Sequence, residues 1–500
     1  MHCPAVVTES KSHDEAPSTL SEYVTVPVLR PPTVFKHSPR EPDRAVSLLL
    51  FLARAQRGMA MMQLPANPHG HDAAAILATP DFARAFEDGA FMAEFARLLS
   101  GSQKVGEFHV LCAIVDQMAP ALGESGQMRG FSVVRGKLDE TLPDLWLPSP
   151  PRAREDSDSV STLTFHLGSP RITLPLARTT FHNSRTSTLL ASRFDMTEPS
   201  PILRQSCQKS SQRIILSLHR KLHSTNDLGL WAPLCPITHA RVVADGFGNI
   251  IRGIEVNGKR EPASTELEDS VNTMFKNRSA SDIAPGPMGV WAMINSAVDL
   301  DNAPDPARSL LGKPATRDEI EVMAQYLEQS YGSGGRLFQI LSGGGGWGAK
   351  KGLLSIDPQR THFALSEEEE MKRFFQTMDR SSFAPPGSQI QFFMPAPAPP
   401  QDTAASCSGI VFGVPRNDEY AEGEAEVAES GFLVDDHFGA LSTQGVFISG
   451  STDPETGLLD ESKLSVPNAR VYVVKDKKKG GLLRSIGTER LADAAAATLI

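Results

Sequence analysis

Cysteine, tyrosine and tryptophan are scarce in this chain of 500 residues, which has five, five and four of them. No two of the cysteines form a C-x-x-C pair; they are Cys3, Cys112, Cys207, Cys235 and Cys407. The odd number and the wide spacing argue against a disulfide framework and against a zinc site, and they favour free thiols in a reducing compartment.

Long apolar runs are also missing. The best candidate, Ala45 to Ala53, is about half the roughly 20 residues that a membrane span needs, and Arg54 follows it. The first residues show no basic segment followed by an apolar one, and they carry Glu9, Asp14 and Glu15. We therefore expect no membrane span and no secretion, and a cytoplasmic or mitochondrial-matrix location.

Familiar catalytic signatures are absent as well. The chain has no G-x-S-x-G elbow and no Gly-Lys-Ser/Thr ending of a Walker A loop. His69, His71 and Asp72 form an H-x-H-D pattern, but no third ligand follows nearby, so loop histidines are the simpler interpretation. We predict no metal site, and the sequence identifies no catalytic residue.

The composition is that of a globular protein with long loops. Apolar residues make up 40% of the chain, glycine and proline number 39 and 37, and the net charge is −10. The length predicts two or three domains. The predicted divisions are a disordered N-terminal tail at 1–42, a small helical or mixed region at 43–147, a linker at 148–160, an α/β core with a glycine-rich hairpin loop at 161–390, a Pro-rich and acidic loop at 391–436, and C-terminal strands with a basic tail at 437–500.

Local patterns predict an α+β fold, or an α/β one, with a mixed sheet core, flanking helices and a disordered N-terminus. The continuous apolar run 108–115 is typical of a buried strand, and Asn257-Gly258 is a strong hairpin signal. Capping-box patterns at Thr265 and Thr316 predict the starts of two helices.

The most unusual stretch is RLFQILSGGGGWGAKKGLLSI, at 336–356, in which glycines separate two predicted strands. Consecutive glycines let backbone N–H groups form a concave nest for an anion. The lysines would add positive charge, and the tryptophan could cover a base or anchor the loop. The predicted ligand-binding residues are Gly343, Gly344, Gly345, Gly346, Trp347, Gly348, Lys350 and Lys351.

This loop resembles the flexible glycine loop of ATP-grasp ligases, which is also a strand–GGGG–strand element. The resemblance covers about a dozen residues and implies ATP with Mg²⁺ as a possible cofactor. The chain lacks the usual lysine before the glycines and a paired-acid and asparagine metal motif. The segments GNIIRGIE, LPLARTTFHNSRTSTLLASRF and LSGGGGWGAKKGLLSIDP together resemble conserved proteins of filamentous fungi, a family that implies no established activity.

A basic segment is the second unusual feature. Residues 161–225 have a net charge of +7, against −17 for the rest of the chain. The predicted basic patch comprises Arg171, Arg178, Arg185, Arg193, Arg204, Arg213, Arg220 and Lys221. Lys209 is the ninth basic residue of the segment. Basic groups interleaved with Phe165, Phe181 and Phe194 could bind RNA. The alternative is a basic face that pairs with acids elsewhere in the chain.

Three functional hypotheses follow from these features. The first is an intracellular accessory protein that binds a nucleotide or RNA through the glycine-rich loop. The second is an ATP-dependent, ligase-like enzyme that closes the same loop over ATP. The third is a scaffold in which the loop binds no ligand.

Overall fold

The computed structural model describes residues 22–27, 70–101, 106–119, 129–148, 159–218, 222–277, 289–296, 299–313, 315–343, 352–358, 382–396, 409–416, 434–435, 437–452 and 459–473. Within these ranges it confirms an α+β fold in which strands predominate.

The first half of the chain is mostly strands. They are β1 Glu22–Pro27, β2 Ala73–Ala78, β3 Glu107–Ile114, β4 Gln117–Met118, β5 Gly130–Gly136, β6 Thr162–His166, β7 Arg171–Pro175, β8 Arg178–Thr179, β9 Arg185–Ser187, β10 Leu189–Asp195, β11 Ile202–Gln208, β12 Ser211–Ile215, β13 Leu228–Trp231 and β14 Leu234–Pro236.

The second half continues in the same way. Its strands are β15 Arg241–Phe247, β16 Ile250–Val256, β17 Lys259–Pro262, β18 Trp291–Asn295, β19 Arg336–Gly343, β20 Leu354–Ile356, β21 Gln389–Pro395, β22 Gly409–Gly413, β23 Val434–Asp435, β24 His437–Leu441, β25 Val446–Thr452, β26 Leu459–Leu464 and β27 Arg470–Val473.

The described helices are fewer and are placed between strands. The α-helices are α1 Gly89–Ser100, α2 Leu138–Thr141, α3 Thr180–Asn183, α4 Ala263–Asn277, α5 Ala307–Leu310 and α6 Arg317–Gly332; short 3-10 turns are Pro80–Phe82, Ala85–Glu87 and Thr225–Asp227.

The strands form four main sheets. Sheet I has the order β11-β10-β3-β2-β5-β1-β23, sheet II β12-β6-β7-β25-β26, and sheet III β13-β27-β22-β24-β4. Sheet IV has the order β14-β21-β15-β16-β20-β19-β18, with β17 paired to β16. Because β18 also pairs with β21, the strands β21, β15, β16, β20, β19 and β18 close on themselves.

Three apolar cores hold these layers together. The largest joins sheets I, II and III to one face of sheet IV and to α6, and in it the ring centroids of Phe165 and Phe412 stack 4.3 Å apart. The second lies between sheet I and α1, and the third between the other face of sheet IV and α4. Burial of apolar surface on both faces of a strand explains continuous runs such as β3.

Local sequence signals for the hairpin and α6 are confirmed. Asn257 and Gly258 both have positive φ, at 51° and 73°, and they join β16 to the antiparallel β17. Thr316 and Glu319 form the predicted capping box of α6. The pattern at Thr265 places the start of α4 two residues late, since the helix begins at Ala263.

The predicted divisions of the chain need three corrections. Glu22–Pro27, within the predicted disordered tail, forms β1 between β5 and β23. The 148–160 segment separates no domains, because β10 pairs with β3 across it. Gly409–Gly413, in the predicted acidic loop, is the strand β22, paired with β24 and β27. Each error concerns pairing between distant segments, which local composition does not encode.

Candidate functional site

The glycine-rich stretch connects two neighbouring antiparallel strands of sheet IV. Gly343, the last residue of β19, pairs with Leu354, the first residue of β20. The other predicted ligand residues, Gly344 through Gly348 with Trp347, and Lys350 and Lys351, lie outside the described residues. The structure therefore describes the two ends of the hairpin and their surroundings.

The β19 end of the hairpin leaves the core. The register shifts between Ile340 and Ser342, which marks a β-bulge, and from there Leu341, Ser342 and Gly343 are exposed, Leu341 by 57%. A bulge bends a strand and redirects its end. The strand thus enters the glycine-rich stretch at the protein surface.

The β20 end meets the amino terminus of a helix. The Ser264 N–H, in the first turn of α4, donates to the Gly352 carbonyl at 3.2 Å. Gly352 has φ of +84°, and an added Cβ would lie 2.4 Å from the Pro262 Cβ. Only glycine fits both the left-handed backbone and the close approach.

We expect Gly352→Ala to lower the free energy of unfolding by about 2–3 kcal/mol. The left-handed backbone of alanine costs about 1–2 kcal/mol, and the clash of its Cβ with Pro262 adds to this cost. Gly334→Ala is the matched control, since Gly334 has φ of +85° and nothing lies within 4 Å of its added Cβ. Urea unfolding of both variants measures the difference, and equal losses would contradict the contact with Pro262.

Two acid–base pairs and an acidic groove surround the amino terminus of α4. The first-turn acid Glu266 accepts hydrogen bonds from Arg241 at 2.6–3.0 Å, and this contact raises the pKa of Arg241. On β17, Arg260 pairs with Asp245 at 2.5 Å. An open groove runs along α4 from its first turn and is lined by Glu261, Glu266 and Asp269, so its charge disfavours a phosphate.

The predicted basic patch is spread over several strands. Arg171 lies on β7, Arg178 on β8, Arg185 on β9, Arg193 on β10, Arg204 on β11 and Arg213 on β12, while Arg220 and Lys221 lie outside the described residues. Because β10 and β11 belong to sheet I, β7 and β12 to sheet II, and β8 and β9 form a separate two-stranded sheet, these arginines are divided among three sheets.

Four of these arginines face carboxylates. Arg185 lies 2.6 Å from Glu87, Arg193 3.7 Å from Glu107 and Arg204 2.6 Å from Asp195, and Arg213 pairs with Asp144. Hydrogen bonds from Thr197 and Arg204 hold the pKa of Asp195 well below its usual value. These pairs reduce the charge that the segment presents to solvent.

Arg193 also belongs to an aromatic cluster. Its guanidinium lies 5.8 Å from the centroid of the Trp146 ring, and the Trp146 indole N–H donates to His109 Nδ1 at 3.1 Å. Burial lowers the pKa of His109, so a neutral ring accepts this bond. The cluster fixes Trp146 against sheet I.

Lys209, the remaining described base of the segment, is buried rather than presented at the surface. Its ammonium donates to the carbonyl oxygens of Leu145 and Leu147 at 2.7 and 3.1 Å, and it lies 3.4 Å from that of Asp144. Burial lowers the pKa of Lys209. The side chain ties the turn after α2 to the β11–β12 connection.

Sequence reasoning missed one basic cluster, on the outer face of sheet II. His166 on β6 is directly opposite Arg171 on β7, and Arg213 lies on β12, on the other side of β6. The signal was present in the alternation Thr162, Thr164, His166, which places these three side chains on one face of a strand.

In the part of the chain that the structure describes, no group of three or more His, Cys, Asp and Glu side chains is arranged to hold a metal ion. Among the helices in those ranges, none is both long and apolar enough to cross a membrane.

Comparison with known proteins adds no assignment. No family model, curated protein or solved structure matches the chain.

Proposed function

We propose that the protein binds a phosphate-bearing ligand, a nucleotide or RNA, through the glycine-rich loop between β19 and β20. The observation that carries this proposal is the attachment of the loop's far end, at Gly352, to the first turn of α4. A helix amino terminus carries a partial positive charge and N–H groups that favour anions.

The sequence of the loop supplies the complementary chemistry. Four consecutive glycines leave backbone N–H groups free of side-chain crowding, and Lys350 and Lys351 follow in the same connection. Glu266, the acid in the first turn of α4, is engaged by Arg241, so its charge is compensated beside the loop. Donors and positive charge for a phosphate would therefore come from the glycines and the two lysines of the loop, on the side away from the groove lined by Glu261 and Asp269.

A thermal-shift series with the whole chain tests the proposal. The probes are ATP, GTP, AMP and pyrophosphate, each with and without Mg²⁺, and a short single-stranded RNA. A ligand that binds only the native state stabilises it by about 2.7 kcal/mol at 100 times its Kd. A shift with mononucleotides identifies a nucleotide site, and a shift with RNA alone identifies an RNA site.

We expect Lys350→Ala with Lys351→Ala to weaken the binding of the stabilising ligand about 100-fold, because each lysine contributes a charge-assisted hydrogen bond of about 1.5 kcal/mol. Lys313→Ala, at an exposed position after α5, is the charge-matched control and should keep the affinity. Titration calorimetry measures both. An unchanged Kd in the double variant would contradict a site at this loop.

A further inference from the structure

The outer face of sheet II gathers basic side chains in adjacent strands. His166 and Arg171 are a directly opposed antiparallel pair, which places their Cβ atoms about 5 Å apart. On the other edge of β6, Ile215 of β12 is opposite His166. Arg213 precedes Ile215 by two residues and lies on the same face of the sheet. The inner face of these strands carries Phe165 and the rest of the core, so the three basic side chains point outward together.

The charges in this cluster are incompletely balanced. Arg213 pairs with Asp144, whereas Arg171 makes no ion pair within 4 Å in the described ranges. Burial lowers the pKa of His166 to about 4, and the positive charges of Arg171 and Arg213 add to this effect. These two arginines are the charged groups that act on the ring. At neutral pH the ring is therefore neutral and can donate one N–H.

A threonine pair lies beside the basic side chains, with Thr164 half-buried and Thr173 buried. In the next row, Thr164 and Thr173 lie opposite each other on β6 and β7, and their Oγ1 atoms are 3.1 Å apart. One hydroxyl of such a pair donates to the other, and the second retains a proton that it can donate outward. The row adds a neutral donor beside the arginines.

Acids on the rest of this face are distant or engaged. Ser449 on β25 is opposite Arg171, and Glu461 on β26 is opposite Ser449, so three strand spacings of about 4.8 Å separate Glu461 from His166, the middle residue of the cluster. Lys463, on the same strand as Glu461, pairs with Asp357 at 3.3 Å.

We infer that Arg171, His166 and Arg213, with the hydroxyl of Thr164, form a second anion site that takes a phosphate group, as free phosphate or a small phosphate monoester. The Arg171 guanidinium supplies positive charge, and the guanidinium of Arg213, beside its Asp144 partner, and a neutral imidazole add donors for the multiple acceptors of a phosphate. The site is separate from the glycine-rich loop, which lies in sheet IV.

Nuclear magnetic resonance of the His166 ring tests this site directly. Titration with inorganic phosphate should raise the pKa of His166 by about one unit, because a bound anion favours the imidazolium. Glycerol phosphate should do the same. Arg171→Gln should raise the pKa of His166 without phosphate, abolish the further rise with phosphate, and weaken phosphate binding at least tenfold.

The controls separate this site from general charge effects and from the loop. Arg204→Gln removes the same charge from the same segment on sheet I and should leave the phosphate response of His166 intact. The double variant Lys350→Ala with Lys351→Ala should also leave it intact, while Arg171→Lys should restore part of the binding. Equal responses to phosphate and to sodium chloride at matched ionic strength, a response to RNA alone, or equal losses in Arg171→Gln and Arg204→Gln would overturn the inference.

Discussion

Replacing Lys209 with methionine is expected to lower the free energy of unfolding by about 3 kcal/mol. Methionine keeps an unbranched side chain in the same space but removes the donors to the Leu145 and Leu147 carbonyls. A buried carbonyl left without a donor costs about 1–3 kcal/mol; the bond to Leu145 is buried, and the bond to Leu147 is partly buried. Urea unfolding measures the loss.

Two opposing effects decide the size of this loss. Burial of the ammonium is itself unfavourable, as the lowered pKa of Lys209 shows, and methionine relieves that cost. We expect the cost of the carbonyls left without donors to exceed this gain, because their turn cannot rearrange easily. Gln212 also holds that turn, since its side chain donates to the Pro143 carbonyl at 2.7 Å. Lys259→Met, on exposed β17, is the control and should change stability by less than about 0.5 kcal/mol. A neutral Lys209→Met would show that burial of the charge outweighs its hydrogen bonds.

Acidification is expected to destabilise the protein through His437 by about 3 kcal/mol. This side chain on β24 is 1% exposed, and burial lowers its pKa from 6.5 to about 4. Each pKa unit corresponds to about 1.4 kcal/mol. Because the folded-state pKa is below the unfolded value, the contribution to stability is fully present above pH 6.5. It is lost progressively as the pH falls from 6.5 to 4.

The measurement is the free energy of unfolding between pH 7 and pH 4 for the wild type and for His437→Gln. Carboxylates and the other histidines with lowered pKa also contribute, so the readout is the difference in pH dependence between the two proteins. His437→Gln should lose less stability over this range by about 3 kcal/mol, whereas His223→Gln, at an exposed position, should follow the wild type. Parallel curves for wild type and His437→Gln would contradict the burial argument.

Local sequence patterns predict elements well where the physics is local. The Asn257-Gly258 turn requires two residues that tolerate positive φ, and the Thr316 capping box needs only residues within one turn. Strand pairing is different, because β3 and β10 are joined by backbone hydrogen bonds although more than 70 residues of the chain separate the paired residues. Both strands are recognisable, yet nothing in either identifies its partner.

The same distinction applies to the candidate sites. The glycines and lysines of the hairpin loop are visible as a run, and so is their position between two strands. The link from Gly352 to α4 depends on how β17 and β20 lie end to end along the same edge of β16, which periodicity does not show. For the basic segment, composition predicts the charge, but the carboxylates that pair with Arg185, Arg193 and Arg213 come from residues 87, 107 and 144.

The central claim is that backbone N–H groups of the loop after Gly343 bind a phosphate-bearing ligand. Hydrogen–deuterium exchange of the peptide covering residues 336–353, with and without saturating ATP and Mg²⁺, pyrophosphate or a short RNA, tests it most directly. We predict slower exchange in this peptide with at least one of these ligands, and loss of the effect in the double lysine variant. Unchanged exchange here with every one of them would contradict the claim.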